Sequence, residues 1–375
     1  MAAIYFHIPF CKTKCFYCNF YSVTTSELKY NYILALKKEL IARKSYINEE
    51  TVKSIYFGGG TPSVIDIKEL NSLIILVADK MELSKEAEIT LEINPDDVTA
   101  DFITELKKSA FNRVSLGIQS FFDKDLEYLG RRHNAEKAHK ALEMLLSNGY
   151  LNISADLIYG MPVLPDKNLE QNLEILVNYK IPHISAYALT LEKDSVLDKQ
   201  IRQKKAKKIN ENTVKRQFYI VMDYLCSKGY LHYETSNFAI PGYFSRHNSL
   251  YWQGGIYLGL GASAHSYNKY SRQANPADID KYISDINNNK FSYETETLDD
   301  NQKFNEYIML SLRTMWGCNA RYIFLAFGAD KYEHFKKYIL RYIDEKLVEC
   351  NGDIYNLTKK GKILADLIAS DLFIV

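Results

Sequence analysis

The chain has 375 residues, with 47 Lys+Arg against 46 Asp+Glu, 47% hydrophobic residues and 25% charged. That length suits one large domain plus a smaller one, and the balance excludes disordered, fibrous and collagenous classes. A net charge of +1 offers no field for a polyanionic partner. The apolar run Leu73 to Ala78 is six residues long, too short to cross a bilayer, and no integral membrane segment is expected. Met1 to Cys11 lacks the charged and apolar regions of a secretory signal. Six cysteines are too few for a disulfide scaffold, yet three of them, Cys11, Cys15 and Cys18, fall within eight residues.

In chain order, the β-rich runs Ile4–Ile8, Val52–Phe57, Glu88–Ile93, Arg113–Ile118, Asn152–Ile158 and His183–Leu189 predict strands. Between them helix-period apolar residues predict helices, the first through Leu28, Tyr32, Ile33, Leu36 and Leu40 after an N-cap at Ser26. The others cover Lys68–Asp79, Ala100–Ser109, Ala135–Ser147 and Asn168–Tyr179. Such βαβ repetition calls for a parallel sheet with right-handed crossovers, as a partial barrel or a doubly wound sheet. The six basic residues of Lys199–Lys208 read as a solvated helix face or loop, and a helix follows from Asn210 to Lys228. Residues 231–275 read as an irregular His/Tyr/Gly-rich segment connecting a domain of residues 1–230 to one of 276–375. Around Asn351-Gly352 the alternation of Leu347–Leu357 predicts a hairpin, and the flanking helices suggest a winged-helix-like C-terminal domain. From Pro276 onward 16 acidic residues outnumber 13 basic ones, a poor footprint for nucleic acid.

The cysteines form C-x₃-C-x₂-C directly after the first strand. Three thiolates so close converge only if the backbone loops around a shared centre. A structural zinc site would need a second pair, whereas Cys226, Cys318 and Cys350 are isolated and read as bystanders. Soft thiolates otherwise favour an iron–sulfur cluster, and a three-ligand set leaves one iron of a cubane open. Further along, Gly58-Gly59-Gly60-Thr61-Pro62 follows the second strand, Glu92 lies at the end of the third, and Gln119 ends the fourth. Asp156 sits inside the apolar fifth strand, where an unpaired carboxylate is costly, so it is expected to face a polar interior.

C-x₃-C-x₂-C at the end of a first barrel strand resembles the signature of radical S-adenosylmethionine (SAM) proteins. Tyr5-Phe-His-Ile-Pro-Phe-Cys11 resembles, more narrowly, the subgroup of oxygen-independent coproporphyrinogen III oxidase and the heme chaperones. The resemblance implies an α/β fold, a radical SAM partial (β/α)6 barrel. It further implies a 4Fe–4S cluster held by Cys11, Cys15 and Cys18, with SAM chelating the open iron. By the same similarity Tyr5, Gly59, Gly60, Thr61, Glu92, Gln119, Arg131, Asp156 and Ala188 are the implied SAM contacts. A flavodoxin or ferredoxin is the implied electron donor. An oxygen-sensitive cluster points to the reducing cytoplasm.

Two departures separate the chain from the oxidase. A fourth cysteine is expected there two places after the third, where this chain has Phe20. The oxidase also carries an extension ahead of its cluster strand, and here only ten residues precede Cys11. A third marker is Arg246-His247-Asn248-Ser249-Leu250-Tyr251-Trp252, similar to an H-N-x-x-Y-W motif of the heme chaperones. His247 would serve iron, Tyr251 and Trp252 the macrocycle, and Arg246 a propionate. His265 is a second, weaker candidate. The resemblance therefore implies a heme carrier that passes heme to acceptor proteins, respiratory ones among them. Its cluster is expected to govern transfer or dimerisation. The alternative is radical decarboxylation of coproporphyrinogen.

Overall fold

The computed structural model describes residues 1–374. Six parallel strands run in sequence order across its centre: β1 (Ala2–Ile8), β2 (Val52–Gly59), β3 (Leu83–Ile93), β4 (Arg113–Gln119), β5 (Ile153–Tyr159) and β6 (His183–Ala188). The helices that return the chain are α1 (Lys29–Arg43), α2 (Ile67–Lys80), α3 (Ala100–Lys107), α4 (Asp123–Leu129), α5 (Ala135–Ser147) and α6 (Asp166–Asn178). Polar side chains mark the starts of α2, α3 and α5: Asp66, Thr99 and Asn134 accept the backbone N–H groups of Lys68, Phe102 and Lys137. α1, α4 and α6 start without a side-chain cap, at Leu28, Phe122 and Pro165; at α1 the expected cap Ser26 lies in the preceding turn.

Strand alternation sets the chemistry of the two sheet faces. Ile55, Phe57, Leu91 and Ala155 go to the helix-covered core. The intervening residues Ser54, Tyr56, Thr90, Glu92, Ser154 and Asp156 occupy the opposite, concave face. β1 and β6 do not pair, so the barrel stays open, an α/β partial (β/α)6 barrel.

Residues 231–275 are not irregular. After α7 (Val196–Arg202) and α8 (Glu211–Ser227) come β7 (Leu231–Glu234), β8 (Asn237–Ala239), α9 (Arg246–Trp252), β9 (Ile256–Leu260), β10 (His265–Tyr267) and β11 (Ser271–Ala274). β8 and β7 extend the sheet beyond β6, while β9 pairs parallel to β1 and carries β10, β11 and the later β12 (Glu294–Thr297). A buried polar hub fixes this second edge: Arg43 of α1 donates to Glu39 (2.7 Å) and Gln273 (2.7 Å). α10 (Ile279–Asn287) also packs on the large core, through Ile279, Tyr282, Ile283 and Ile286. The two cores therefore divide after α10, not at residue 276.

The second core comprises residues between Phe304 and Leu372. Here α11 (Asp300–Leu312), β13 (Cys318–Asn319), α12 (Ala320–Phe327) and α13 (Ala329–Asp344) precede the hairpin of β14 (Val348–Asn351) and β15 (Ile354–Leu357), and α14 (Ala365–Asp371) closes the chain. The order β13-β15-β14 beside these four helices is winged-helix-like.

Candidate functional site

A cavity of about 870 Å³ opens at the carboxyl ends of the strands and runs into the concave face of the barrel, where parallel α/β folds place their ligands. Cys11, Cys15 and Cys18 line its mouth, none of them in a disulfide. Their loop hangs from three backbone bonds. Cys11 N–H donates to Val23 O (2.9 Å), Phe16 N–H to Leu129 O (3.0 Å), and Leu197 N–H to Phe16 O (2.8 Å). The second fastening needs Gly130, the left-handed residue after α4 (φ 67°), since a Cβ there would lie 2.6 Å from the Phe16 ring. Lys12 pairs with the buried Asp97, which also accepts from Ser63 Oγ (2.6 Å).

Gly59 and Gly60 serve the same loop. Gly60 N–H and Thr61 N–H donate to Ile8 O and Phe10 O, both at 2.8 Å. A Cβ on Gly60 would meet those two carbonyls at 2.9 Å, and one on Gly59 would enter the His7 ring at 2.6 Å. These glycines thus let β2 press against the thiol loop, while Thr61 Oγ1 reaches Cys11 Sγ at 3.5 Å.

Arg131 crosses the cavity mouth. It donates to Cys15 Sγ (3.5 Å), Asn94 Oδ1 (2.6 Å) and Gly117 O (2.8 Å), and its buried Nε has no partner. Gln119 holds a left-handed backbone (φ 69°) beside it, the strained geometry that β-strand ends adopt at functional sites. Deeper lie two buried carboxyls. Burial pushes Glu92 up to about 7, opposed by the hydroxyl of Tyr56, which donates to Glu92 Oε1 at 2.7 Å. Asp156 is pushed up to about 6 by burial, opposed by hydrogen bonds from Ser185 and Ser115. Carboxyls so poised in a cleft are a functional-site signature.

Of the residues singled out from sequence, the three cysteines, Gly59, Gly60, Thr61, Glu92, Gln119, Arg131, Asp156 and Ala188 share this one cavity. Tyr5 does not line it: its hydroxyl meets His7 Nδ1 (3.1 Å) and its ring lies 6.2 Å from that of Tyr56. His247, Tyr251 and Trp252 do not line it either, although Ser245 and Asn248 of the same segment do. His247 is 1% exposed, with Nδ1 on Ser54 Oγ (2.9 Å) and Nε2 on Tyr251 OH (2.8 Å). Both ring nitrogens of His247, the candidate heme residue, are thus engaged by hydroxyls of the protein. Arg246 is occupied too, donating to Glu86 O. His265 is exposed on β10. Sequence reasoning missed Tyr56, Asn94 and the Lys12–Asp97 latch; the polar run Asn94-Pro95-Asp96-Asp97 after β3 was the available signal.

The donor set suits a radical SAM centre. Among the described residues no three Cys, His, Asp or Glu side chains gather closely enough for a single metal ion, and in a cubane each thiolate takes a different iron. The partnerless Arg131 Nε suits a carboxylate, while Glu92 and Asp156 suit the amine, ribose or sulfonium end of SAM. The family model of the Radical SAM superfamily matches residues 5–176. A solved structure of coproporphyrinogen III oxidase (HemN) from Escherichia coli superposes with a TM-score of 0.85 at 20% identity, covering 99% of this chain and 90% of that one, and so shares the fold. Heme chaperone HemW from Lactococcus lactis is 32% identical over 357 residues, 95% of this chain and 93% of that protein. Its Bacillus subtilis counterpart is 30% identical over 98% of this chain and 97% of that protein. The chain belongs to the HemW family within the radical SAM superfamily.

Proposed function

We propose that this protein is a heme chaperone that carries a SAM-bound 4Fe–4S cluster and transfers heme to acceptor proteins. The observation that carries the reading is the end-to-end match to heme chaperones at 32% identity. Phe20, 67% exposed where the oxidase is expected to have its fourth cysteine, supports it.

Cys11, Cys15 and Cys18 would hold the cluster, which supplies reducing electrons to SAM when both are bound. Arg131 and Thr61, donating toward Cys15 and Cys11, fix the orientation of the two sulfurs and the loop that carries them. Arg131 Nε then takes the SAM carboxylate, and Glu92 and Asp156 accept from its cationic and hydroxyl groups. Gly59, Gly60, Gln119 and Ala188 complete the wall, with Tyr5 supporting it from behind through His7. Heme contact by His247, Tyr251 and Trp252 would require Tyr251 to release Nε2. The partners of this reading are heme, respiratory heme proteins as acceptors and a flavodoxin- or ferredoxin-like electron donor. No helix of the described residues is long and apolar enough to cross a membrane, so a membrane-bound acceptor would be met at its surface.

The test is transfer. Hemin-loaded, cluster-reconstituted protein is mixed anaerobically with an apo b-type cytochrome on a resin. Heme moving to the resin faster than free hemin partitions supports the reading; heme retained on the chaperone, or lost equally from a cluster-free sample, contradicts it.

A further inference from the structure

The H-N-x-x-Y-W segment reaches the cofactor cavity through its buried histidine, by a route that needs no heme. Ser54 and Tyr56 are two residues apart on β2, so both face the barrel interior. α9 plugs that interior, and His247 inserts between the two. Its Nδ1 meets Ser54 Oγ at 2.9 Å, and its ring stacks on Tyr56 with centroids 4.9 Å apart and planes 28° from parallel. Tyr251, one helical turn on, closes the other nitrogen at 2.8 Å and packs edge-on to the imidazole at 4.7 Å. From the second side α9 is held by Glu88 of β3, which accepts His247 N–H (3.1 Å) and Ser245 Oγ–H (3.4 Å). The imidazole has no freedom left, and the Tyr56 ring packs against both it and Tyr5.

The Tyr56 hydroxyl in turn reaches 2.7 Å to Glu92 Oε1, inside the cavity. Space for that contact exists because residue 58 is glycine: a Cβ there would lie 2.9 Å from Tyr56 Cε1 and 3.0 Å from Glu92 Oε1. An unbroken series of close contacts thus runs from α9 through His247 and Tyr56 to a carboxylate of the SAM pocket.

We propose that His247 is a positioning residue for the cofactor pocket, fixing Tyr56 so that its hydroxyl donates to Glu92 and holds that carboxylate ready for a cationic or hydroxyl donor of SAM. The proposal rests on the SAM reading of the cavity but not on where heme binds. It gives the segment a function that survives with both imidazole nitrogens occupied. Rigid neighbours set the orientation of a binding group as firmly as the group's own bonds do.

The experiment measures SAM affinity of the full, cluster-reconstituted chain between pH 6 and 9 by equilibrium dialysis, beside a hemin titration of each sample. In the wild type, affinity rises as Glu92 ionises. Tyr56→Phe removes the donor that favours the carboxylate, so the midpoint moves upward by about one pH unit and SAM binding at pH 7 weakens roughly fivefold, recovering by pH 9. His247→Phe keeps a ring but loses both anchors, and Ser54→Ala removes one anchor without touching the ring. Both move the midpoint in the same direction, by less. The double variant Tyr56→Phe/His247→Phe is no weaker than Tyr56→Phe alone, because the histidine acts through the tyrosine. Hemin affinity and Soret shape of Tyr56→Phe and Ser54→Ala stay as in the wild type.

An unmoved pH midpoint in both His247→Phe and Ser54→Ala overturns the proposal, as does additivity in the double variant. A lost Soret band in His247→Phe with an unmoved midpoint returns the residue to heme. Wild-type protein that binds no SAM at any pH would instead overturn the cofactor reading itself. Should His247→Phe fail to fold, Ser54→Ala carries the same test.

Discussion

Replacing Glu92 with Gln separates what the pocket does for its ligand from what it costs the fold. Burial raises the Glu92 carboxyl from 4.5 to about 7. That rise, at about 1.4 kcal/mol per pH unit, corresponds to about 3.5 kcal/mol. The sign follows from proton linkage. Below pH 4.5 the group is protonated both folded and unfolded, so it adds no penalty. Between there and about 7 the folded chain keeps a proton that the unfolded chain releases, and stability falls as the pH rises. Above that the whole penalty is present. Gln is neutral throughout and still accepts from Tyr56, but its amide group brings two donors into a pocket that lacks water's freedom. We expect Glu92→Gln to gain about 1–3 kcal/mol at pH 8 and close to nothing at pH 5. Urea unfolding of the cluster-free chain at the two pH values reads this directly. Addition of SAM to the reconstituted proteins should then stabilise the wild type and leave the variant unmoved. A variant less stable than wild type at pH 8, or equally stabilised at both pH values, would refute the reasoning.

Three other substitutions probe separate parts of the account. Cys15→Ala should abolish the brown absorbance of the reconstituted cluster, and persistence of the colour would contradict the ligand assignment. Gly60→Ala forces a Cβ against the Ile8 and Phe10 carbonyls at 2.9 Å, which should cost roughly 2–3 kcal/mol and lower bound iron while circular dichroism still reports a folded barrel; unchanged iron content would count against the packing argument. Glu234, buried between β7 and β8 and pushed up to about 7 by burial, lies outside the SAM contacts. Glu234→Gln should therefore stabilise the chain more at pH 8 than at pH 5 with SAM binding unaffected, and a loss of SAM affinity would show that it belongs to the pocket after all.

Much of the barrel was legible because its strands are long, parallel and apolar on the helix side, so each reads as a distinct run between helices. The predicted limits of the helix Ala135–Ser147 match α5. The later strands were not legible. β10 and β11 have three and four residues, β12 reads Glu-Thr-Glu-Thr, and all three lie at the sheet edge where pairing with one another, not burial of an apolar face, defines them. α4 was missed for a similar reason: seven residues long, it is defined by its left-handed Gly130 cap and by Phe16 packing over it. The strand-end residues come together in one cavity because their order along the chain is their order around it. The packing of His247 was not legible, because one of its partners is Ser54, 193 residues earlier in the chain. Tyr251 lies within Arg246–Trp252, but nothing local to that segment reveals the bond to Ser54.

The central claim is that a radical SAM barrel here serves heme carriage instead of porphyrinogen oxidation. One anaerobic sample tests it most directly: reconstitute the cluster, titrate hemin while following the Soret band, then add SAM, reductant and coproporphyrinogen and measure decarboxylated product. The account predicts a saturable Soret transition and no turnover. Robust decarboxylation, or the absence of any saturable heme binding, would contradict it.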